Sequence, residues 1–159
     1  MRKNLYNSER IKKKGELKMR KYLLDTNIII KLWNENSMLL EKLIEENKVV
    51  ILKEVLEELS MKEKRIYRRQ EVLSERFCKL LPCGIEVKDS DISGFFMIYD
   101  YEIKGKFENN NLSRNDLLQI CACYTDESLT LITEDKELFN IGKYILQENR
   151  VKGILDIEL

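Results

Sequence analysis

Apolar and polar positions alternate along this chain in blocks that predict strands and helices in turn. Short runs of apolar and β-branched residues predict buried strands at residues 21–24, 49–52, 85–87, 129–132 and 151–157. Apolar residues at every third or fourth position predict helices over residues 27–46 (with a break at 34–36), 53–61, 63–81, 91–104, 113–124 and 135–147. Strands that alternate with helices are typical of a mostly parallel sheet covered on both faces. The pattern therefore predicts an α/β fold, a three-layer α/β/α domain whose mostly parallel sheet has about five strands.

Charge is distributed unevenly, although the formal net charge of the 159 residues is zero. Residues 1–20 hold eight Lys or Arg and two Glu, a net charge of +6, so residues 21–159 sum to −6. We therefore divide the chain into a basic N-terminal extension, residues 1–20, and one globular domain, residues 21–159, and expect weak helical character in residues 1–18. A body of negative net charge excludes a globally basic nucleic-acid binder and leaves room for local basic surfaces.

Composition favours a globular protein, because apolar residues make up 43% of the chain and charged residues 35%. No apolar run approaches the roughly 18 residues of a membrane span. The basic N-terminus also lacks the apolar centre of a secretory signal. We therefore expect a cytoplasmic protein with no membrane segment.

The cysteines Cys78, Cys83, Cys121 and Cys123 allow two interpretations. Their spacings, C-x4-C and C-x-C, in a chain without histidine differ from those of common zinc sites. Buried small apolar side chains are the favoured interpretation, and a zinc site is the alternative. The lack of histidine also excludes histidine-based acid–base catalysis and the usual Ser–His or Cys–His nucleophile pairs.

An aspartate ends the first strand predicted in the domain, within the segment Leu23-Leu24-Asp25-Thr26-Asn27. The carboxyl ends of the strands line the binding crevice of an open α/β sheet. A carboxylate at that position is costly to desolvate unless it has a partner, and a metal ion is a common partner. Asp25 is therefore the first candidate for a metal site.

Three further acids stand at the ends of predicted elements: Glu58, Asp116 and Asp135. Glu58 lies on the helix after the second strand, Asp116 in the first turns of a later helix, and Asp135 just past a strand. Because strand ends and helix starts can converge on one edge of a doubly wound sheet, we expect these acids to lie near Asp25. Carboxylate oxygens are the ligands that Mg²⁺ prefers, and two such ions can serve phosphodiester hydrolysis.

Two of these acids also have a purely structural interpretation. Asp116 can interact with the dipole of the helix that it begins, and Asp135 can cap a helix. Glu54 and Glu57 stand beside Glu58 and are alternatives to it as the second acid of the cluster.

Taken in order, these motifs resemble those of PIN-domain nucleases. Four segments carry the resemblance: Asp25-Thr26-Asn27, Val55-Leu56-Glu57-Glu58-Leu59, Ser113-Arg114-Asn115-Asp116 and Thr133-Glu134-Asp135. The resemblance covers residues 21–157. It implies that the protein is an endoribonuclease whose catalytic, metal-binding residues are Asp25, Glu58, Asp116 and Asp135, with Mg²⁺ or Mn²⁺ as the cofactor. Other residues could orient the carboxylates, namely Thr26, Asn27, Ser113 and Thr133.

Small PIN domains are often similar to VapC-type toxins of toxin–antitoxin pairs. This similarity implies RNA as the substrate, a homodimer, and an antitoxin protein that covers the acidic site. A non-catalytic PIN-like module that binds RNA or protein is the alternative function. A metal-dependent hydrolase of small phosphoesters is less favoured, because a glycine-rich phosphate loop is missing.

Two kinds of surface residue bear on these partners. The basic residues of the predicted helix 63–81 contact either phosphates or only solvent, and residues 1–18 form either an RNA-contacting arm or a solvated tail. The apolar residues between positions 95 and 101 either pack in the core or form an interface with a partner.

Overall fold

A computed structural model of the chain describes residues 10–13, 16–67, 69–107 and 110–158. Its strands in chain order are β1 Arg10–Lys13, β2 Glu16–Met19, β3 Lys21–Leu24, β4 Val49–Leu52, β5 Lys64–Tyr67, β6 Gln70–Leu73, β7 Gly84–Ile85, β8 Leu129–Ile132 and β9 Val151–Lys152. Five of these strands form one parallel sheet in the order β7-β4-β3-β8-β9. The parallel sheet that the alternating pattern predicted is therefore confirmed.

The helices lie between the strands as the sequence pattern required. In chain order they are α1 Thr26–Glu35, α2 Ser37–Glu45, α3 Lys53–Glu63, α4 Glu75–Cys78, α5 Asp89–Ile98, α6 Arg114–Thr125 and α7 Lys136–Leu146. The break between α1 and α2 falls on Asn36, whose side chain accepts a hydrogen bond from the backbone N–H of Leu39. None of the helices in the described ranges is long and apolar enough to cross a membrane.

Helices cover both faces of the sheet. Helix α1 packs against α2 and α3, and α6 packs against α5 and α7. From the central strand β3 the chain moves outward through β4 to β7, and it later moves the opposite way from β8 to β9. Since parallel crossovers are right-handed, connections that run in opposite directions place their helices on opposite faces. The result is the predicted three-layer α/β/α domain.

The centre of the sheet is apolar on both faces. All four residues of β4 and all four of β8 are buried, and Leu23 and Leu24 of β3 are fully covered. Continuous apolar runs of this kind are typical of parallel strands that lie between two layers of helices. Leu24 pairs in register with Ile132, so β3 and β8 end side by side.

The ends of β3 and β8 mark the point where the sheet topology reverses. The connections that leave these two neighbouring strands run to opposite sides of the sheet. In open α/β sheets, ligands bind outside the carboxyl ends of the strands at such a switch point. Asp25 directly follows β3 and Thr133 directly follows β8, so both lie at this crevice.

The region 63–81 differs most from its prediction. A basic helix was expected there, but β5 and β6 form an antiparallel hairpin in which Tyr67 pairs with Gln70, followed by the short helix α4. The tight turn between the strands includes Arg69 at a φ of 67°, a left-handed conformation that two-residue hairpin turns require. The spacing of apolar residues predicted a helix, and the cross-strand pairing overrode it.

Charged residues of this region already have partners in the fold. Arg76 Nε and Nη2 donate to the two carboxylate oxygens of Glu63, each at 3.0 Å, and Ser74 Oγ donates to Glu63 Oε1 at 2.6 Å. Lys79 forms an exposed ion pair with Glu41. Phe77 belongs to the hydrophobic core rather than to a basic surface.

Three further segments depart from expectation. The strands β1 and β2 form an antiparallel hairpin within residues 10–19, where weak helical character was expected, and residues 1–9 and 14–15 lie outside the described ranges. Helix α5 ends at Ile98 and continues as a π-helical turn over Tyr99–Ile103. The last strand contains only Val151–Lys152, because a short 3₁₀ helix follows at Ile154–Asp156.

All four cysteines are free thiols. Cys121 and Cys123 are fully buried on α6, and burial raises the pKa of the two thiols to about 11 and about 12. They therefore act as small neutral core residues, as the favoured interpretation held. Cys78 is exposed, which contradicts that interpretation at this one position.

Candidate active site

Asp25 lies between β3 and α1 and serves both elements. Its Oδ1 accepts a hydrogen bond of 3.0 Å from the backbone N–H of Ile28, so it caps the N-terminus of α1. The pKa of Asp25 is raised from 3.8 to about 6, first by burial and then by the negative charges of Asp116, Asp135 and Glu58, against the lowering effect of the hydrogen bond from Ile28. These three acids are the other three that the sequence singled out, and all of them act electrostatically on Asp25.

Glu58 reaches the same region from α3. This helix begins immediately after β4, and Glu58 lies in its second turn. Its Oε1 accepts a hydrogen bond of 2.6 Å from the hydroxyl of Thr26, the first residue of α1. The alternatives Glu54 and Glu57 are not among the residues that line the cleft next to Asp25, whereas Glu58 is.

Asp116 lies in the first turn of α6. It forms a capping box with Ser113, in which Ser113 Oγ accepts from the backbone N–H of Asp116 and Asp116 Oδ2 accepts from the backbone N–H of Ser113. Reciprocal bonds of this kind satisfy two donors that a helix start leaves unpaired. The structural interpretation of Asp116 therefore applies, and the same carboxylate also lines the cleft.

Asp135 caps α7 just beyond β8. Its Oδ1 accepts a hydrogen bond of 2.9 Å from the backbone N–H of Leu138, and its own backbone N–H donates to Thr133 Oγ1 at 3.0 Å. Asp135 is not one of the residues that line the cleft, although its charge acts on Asp25. It therefore lies at the margin of the acidic cluster.

Asp25, Glu58 and Asp116 line a cleft of about 390 Å³ at the carboxyl edge of the sheet. Its walls consist of Asp25, Thr26, Asn27, Val55, Glu58, Ser113, Arg114, Asn115, Asp116 and Gln119. The N-termini of α1 and α6 both open toward it, and the N-terminus of α7 lies close by. Helix N-termini attract anions such as phosphate groups, so this edge combines carboxylates with partial positive charge.

Gln119 is a cleft residue that the sequence analysis did not single out. Its side chain is buried, and its Oε1 accepts no hydrogen bond from the residues that the structure describes. A polar residue one helical turn after Asp116 in an otherwise apolar stretch was the only signal available. A buried amide oxygen without a donor favours a cation or an ordered water as its partner.

Arg114 was also missed as a site residue, although it stands two positions before Asp116. It lines the cleft, and its guanidinium carbon lies 5.1 Å from the centre of the Phe96 ring. This contact keeps a positive charge at the border of an acidic site. A phosphate group is the kind of ligand that an arginine in this position can bind.

Two other acids near Asp135 are engaged elsewhere. Glu134 accepts from the backbone N–H of Ile154 at 2.9 Å and forms an ion pair with Lys31. Glu137 accepts from the backbone N–H of Asn111 at 3.1 Å. Both therefore hold neighbouring segments in place.

The donor atoms at the cleft suit a hard divalent cation. They are carboxylate oxygens together with the unpartnered amide oxygen of Gln119, and oxygen ligands are those that Mg²⁺ and Mn²⁺ prefer. The pKa of Asp25 is raised first by burial and then by repulsion from the other acids, and a bound cation would offset both. As the side chains stand, no three acidic or sulfur residues in the described ranges are close enough together to hold one ion.

Comparison with known proteins identifies the family. A search of curated proteins found none that matches this chain. The family model of the PIN domain matches residues 22–144, which is more than three quarters of the sequence and includes all four acids. Members of this family are generally nucleases and typically use divalent metal ions. The fold, the order of the acidic motifs and this match together establish that the chain belongs to the PIN-domain family.

Proposed function

We propose that this protein is a metal-dependent endoribonuclease that hydrolyses RNA phosphodiester bonds. The observation that carries the proposal is the effect of Glu58, Asp116 and Asp135 on Asp25, whose pKa burial and these three charges raise to about 6. Helix capping accounts for Asp25, Asp116 and Asp135 one at a time. Their convergence with Glu58 at one edge of the sheet lowers stability, because the four carboxylates repel one another. Clusters of this kind concentrate at functional sites.

The roles of the residues follow from their positions around the cleft. Asp25, Glu58 and Asp116, with Asp135 at the margin, would hold Mg²⁺ or Mn²⁺. A bound divalent ion supplies activation of water and neutralisation of the charge that develops on the phosphate. Thr26 orients Glu58 through its hydroxyl, and Ser113 orients Asp116 through the capping box.

Phosphate recognition rests on positive groups at the same edge. The N-termini of α1 and α6 and the guanidinium of Arg114 face the space where a scissile phosphate would lie. Attack of water on the phosphorus breaks the bond to the 3′ oxygen and leaves a 5′-phosphate and a 3′-hydroxyl. This reaction needs no imidazole, which agrees with a chain that contains no histidine.

We also propose a biological setting: a cytoplasmic toxin of a type II toxin–antitoxin pair that forms homodimers. The apolar residues between positions 95 and 101 divide into two groups, which supports a partner surface. Phe95 and Tyr99 are buried in the core, while Met97 and Tyr101 are 64% and 86% exposed. Large exposed apolar side chains near a site are common where a second protein binds.

The test is cleavage of a pool of structured and single-stranded RNA with Mg²⁺, with Mn²⁺ and with EDTA. We expect cleavage only with metal, and none by Asp25→Asn or Glu58→Gln. Glu57→Gln is the matched control, because Glu57 directly precedes Glu58 on the same helix and is not part of the cleft wall. Equal loss of activity in Glu57→Gln and Glu58→Gln would contradict the assigned roles.

A non-catalytic module that binds RNA or protein is the second candidate. The observation in its favour is that no three acidic side chains in the described part of the chain are close enough to share an ion as they stand. Isothermal titration calorimetry with Mn²⁺ separates the two candidates. Binding that is lost in Asp25→Asn supports the nuclease, whereas RNA binding without any Mn²⁺ binding supports the module.

A further inference from the structure

A second cavity lies directly beside the acidic cleft. It has a volume of about 840 Å³ and is formed by Phe96, Tyr99, Asp100, Lys104, Gly105, Phe107, Asn110, Leu112 and Leu117. We call this cavity the aromatic groove. Leu112 lines the groove, while Ser113 and Arg114, the next residues in the chain, line the cleft. The two spaces are therefore neighbours that share one short segment as their border.

Arg114 joins the two spaces chemically as well as spatially. Its guanidinium lies over the ring of Phe96, a wall residue of the groove, and Arg114 itself lines the cleft. A ligand that extends across this border meets carboxylates, then a cation, then aromatic and aliphatic walls. An RNA strand has the matching order of groups, because each phosphate is linked through a ribose to a flat, largely apolar base.

Hydrogen bonds of the Asn110 side chain hold part of the groove wall in place. Asn110 Nδ2 donates to the carbonyl of Phe107 at 2.7 Å, and its Oδ1 accepts from the backbone N–H of Leu112 at 3.1 Å. Asn110 thus ties Phe107 and Leu112, two neighbouring parts of the groove wall, to each other. The groove is also lined by Tyr99 and Asp100 of the π-helical turn Tyr99–Ile103, and such turns occur frequently at functional sites.

The rim of the groove carries two exposed charged side chains, Asp100 and Lys104. Within the part of the chain that the structure describes, neither makes a side-chain hydrogen bond or ion pair. A carboxylate accepts hydrogen bonds and an ammonium donates them, so the pair suits the mixed donor and acceptor edge of a nucleobase. The groove therefore offers stacking inside and hydrogen bonding at its rim.

We propose that the aromatic groove binds one unpaired nucleobase of the RNA whose phosphate occupies the acidic cleft. This assignment rests on the proposed function and adds to it a determinant of sequence preference. Phe96 and Phe107 are partly exposed and supply ring surface for stacking, while Leu112 and Leu117 complete the apolar wall. Bases in duplex RNA are not available for such stacking, so the substrate is single-stranded at this position.

Two glycines allow a matched test. A Cβ atom added at Gly105 meets no atom within 4 Å, and the same is true at Gly94 on α5. Gly105 lines the groove, whereas Gly94 does not. Gly105→Leu therefore adds a side chain to the groove without a clash at its Cβ atom. Gly94→Leu makes the same chemical change outside the groove. Thermal unfolding of both variants serves as the check that each remains folded.

The measurement is binding of single-stranded RNA oligonucleotides, each lacking the base at one position, by fluorescence anisotropy. All proteins carry Asp25→Asn so that the RNA stays intact. With Gly94→Leu, we expect one abasic position to weaken binding about tenfold, the typical effect of losing one stacked base. With Gly105→Leu, the complete oligonucleotide should already bind about tenfold more weakly, and the same abasic position should cause no further loss.

Different failures point to different proposals. Identical abasic profiles for Gly94→Leu and Gly105→Leu would overturn the base site, even if the protein with Asp25 restored cleaves RNA in the presence of metal. Suppose that one abasic position weakens binding by Gly94→Leu but not by Gly105→Leu, and that the protein with Asp25 restored cleaves no RNA with any metal. This result would support the base site and overturn the nuclease. If neither variant binds RNA, the base site and the nuclease are both overturned.

Discussion

The hydroxyl of Thr26 donates a hydrogen bond of 2.6 Å to Oε1 of Glu58 and so connects the first turn of α1 to α3. Thr26 is only 6% exposed, while Glu58 reaches the cleft from the neighbouring helix. Hydrogen bonds to a carboxylate are shorter and stronger than neutral ones. The residue next to Asp25 therefore sets the orientation of a second acid of the cluster.

The first prediction concerns this bond. Thr26→Val keeps the shape of the side chain but removes the donor, so we expect RNA cleavage to fall about tenfold or more, as is typical when a residue that orients a ligand is lost. Thr26→Ser keeps a hydroxyl and should retain most of the activity. The measurement is kcat/KM for metal-dependent cleavage together with the affinity for Mn²⁺. Equal values for the Val and Ser variants would show that the hydroxyl has no such role.

The second prediction concerns the pH dependence of stability at Asp25. Its pKa is about 6 in the folded protein against 3.8 for the ordinary side chain. The folded state therefore binds this proton more tightly than the unfolded state, and stability falls as pH rises from about 4 to about 6. By linkage the loss is at most about 3 kcal/mol.

Asp25→Asn removes this titration while keeping a residue that can cap α1. In EDTA at pH 7 we expect the variant to be more stable than the original protein by about 1–3 kcal/mol. At pH 4 the difference should disappear. Urea denaturation at the two pH values measures it, and Glu102→Gln, an exposed acid outside the cleft, serves as the control. A difference that does not change with pH would contradict the raised pKa.

The third prediction compares two neighbouring arginines. Arg150 donates to the backbone carbonyls of Leu129, Cys123 and Asp126, whereas Arg20 Nη1 is buried and has no acceptor in the described residues. Arg150→Met removes donors from several carbonyls at once and should lower the free energy of unfolding by about 3 kcal/mol.

Arg20→Met serves as the matched variant. Burial and the charge of Arg150 both lower the pKa of Arg20, so its guanidinium is poorly accommodated in the fold. We expect no loss of stability, and a small gain, when this charge is replaced by an apolar side chain of similar length. Urea denaturation of both variants tests the comparison, and a larger loss for Arg20→Met than for Arg150→Met would contradict it.

The fourth prediction compares an ion pair whose carboxylate is buried with a pair that is exposed on both sides. Arg76 makes two hydrogen bonds to Glu63, whose side chain is only 8% exposed, and its guanidinium carbon lies 4.1 Å from the centre of the Trp33 ring. Arg76→Met should lower stability by about 3 kcal/mol, because it takes these bonds from a buried carboxylate. Lys79→Met breaks the exposed pair with Glu41 and should change stability by less than about 1 kcal/mol. Thermal and urea unfolding of the two variants measure the difference. Similar losses of stability in the two variants would contradict the prediction.

Local pattern was sufficient for most of the fold and insufficient for the hairpin β5–β6. The strands β3, β4 and β8 were predicted at the bounds the structure gives, because each is a short apolar run with polar residues on both sides. The spacing of apolar residues in 63–81 predicted a helix instead. Pairing of Lys64 with Leu73 and the buried Glu63–Arg76 bond join residues nine to thirteen positions apart, which a helical period does not reveal.

The candidate site was predictable in its order along the chain but not in its detail. Asp25, Asp116 and Asp135 stand after a strand or at a helix start, and Glu58 in the second turn of the helix that follows β4. The parallel sheet brings such positions to one edge. Which glutamate of α3 faces the cleft depends on the rotation of the helix against its neighbours. The family resemblance favoured Glu58, and the local pattern left Glu54 and Glu57 as alternatives. The bond from Thr26 to Glu58 and the cleft position of Gln119 likewise depend on that packing.

The sequence by itself determined the succession of strands and helices and the positions of the four acids, because both are encoded in short local patterns of polarity. Only the tertiary structure decided that β3 and β8 end side by side, that Asp25 titrates under the influence of three distant carboxylates, and that an aromatic groove borders the cleft at Arg114. Contacts between residues far apart in the chain depend on how whole elements pack, and the free energies that select one packing are sums over many such contacts.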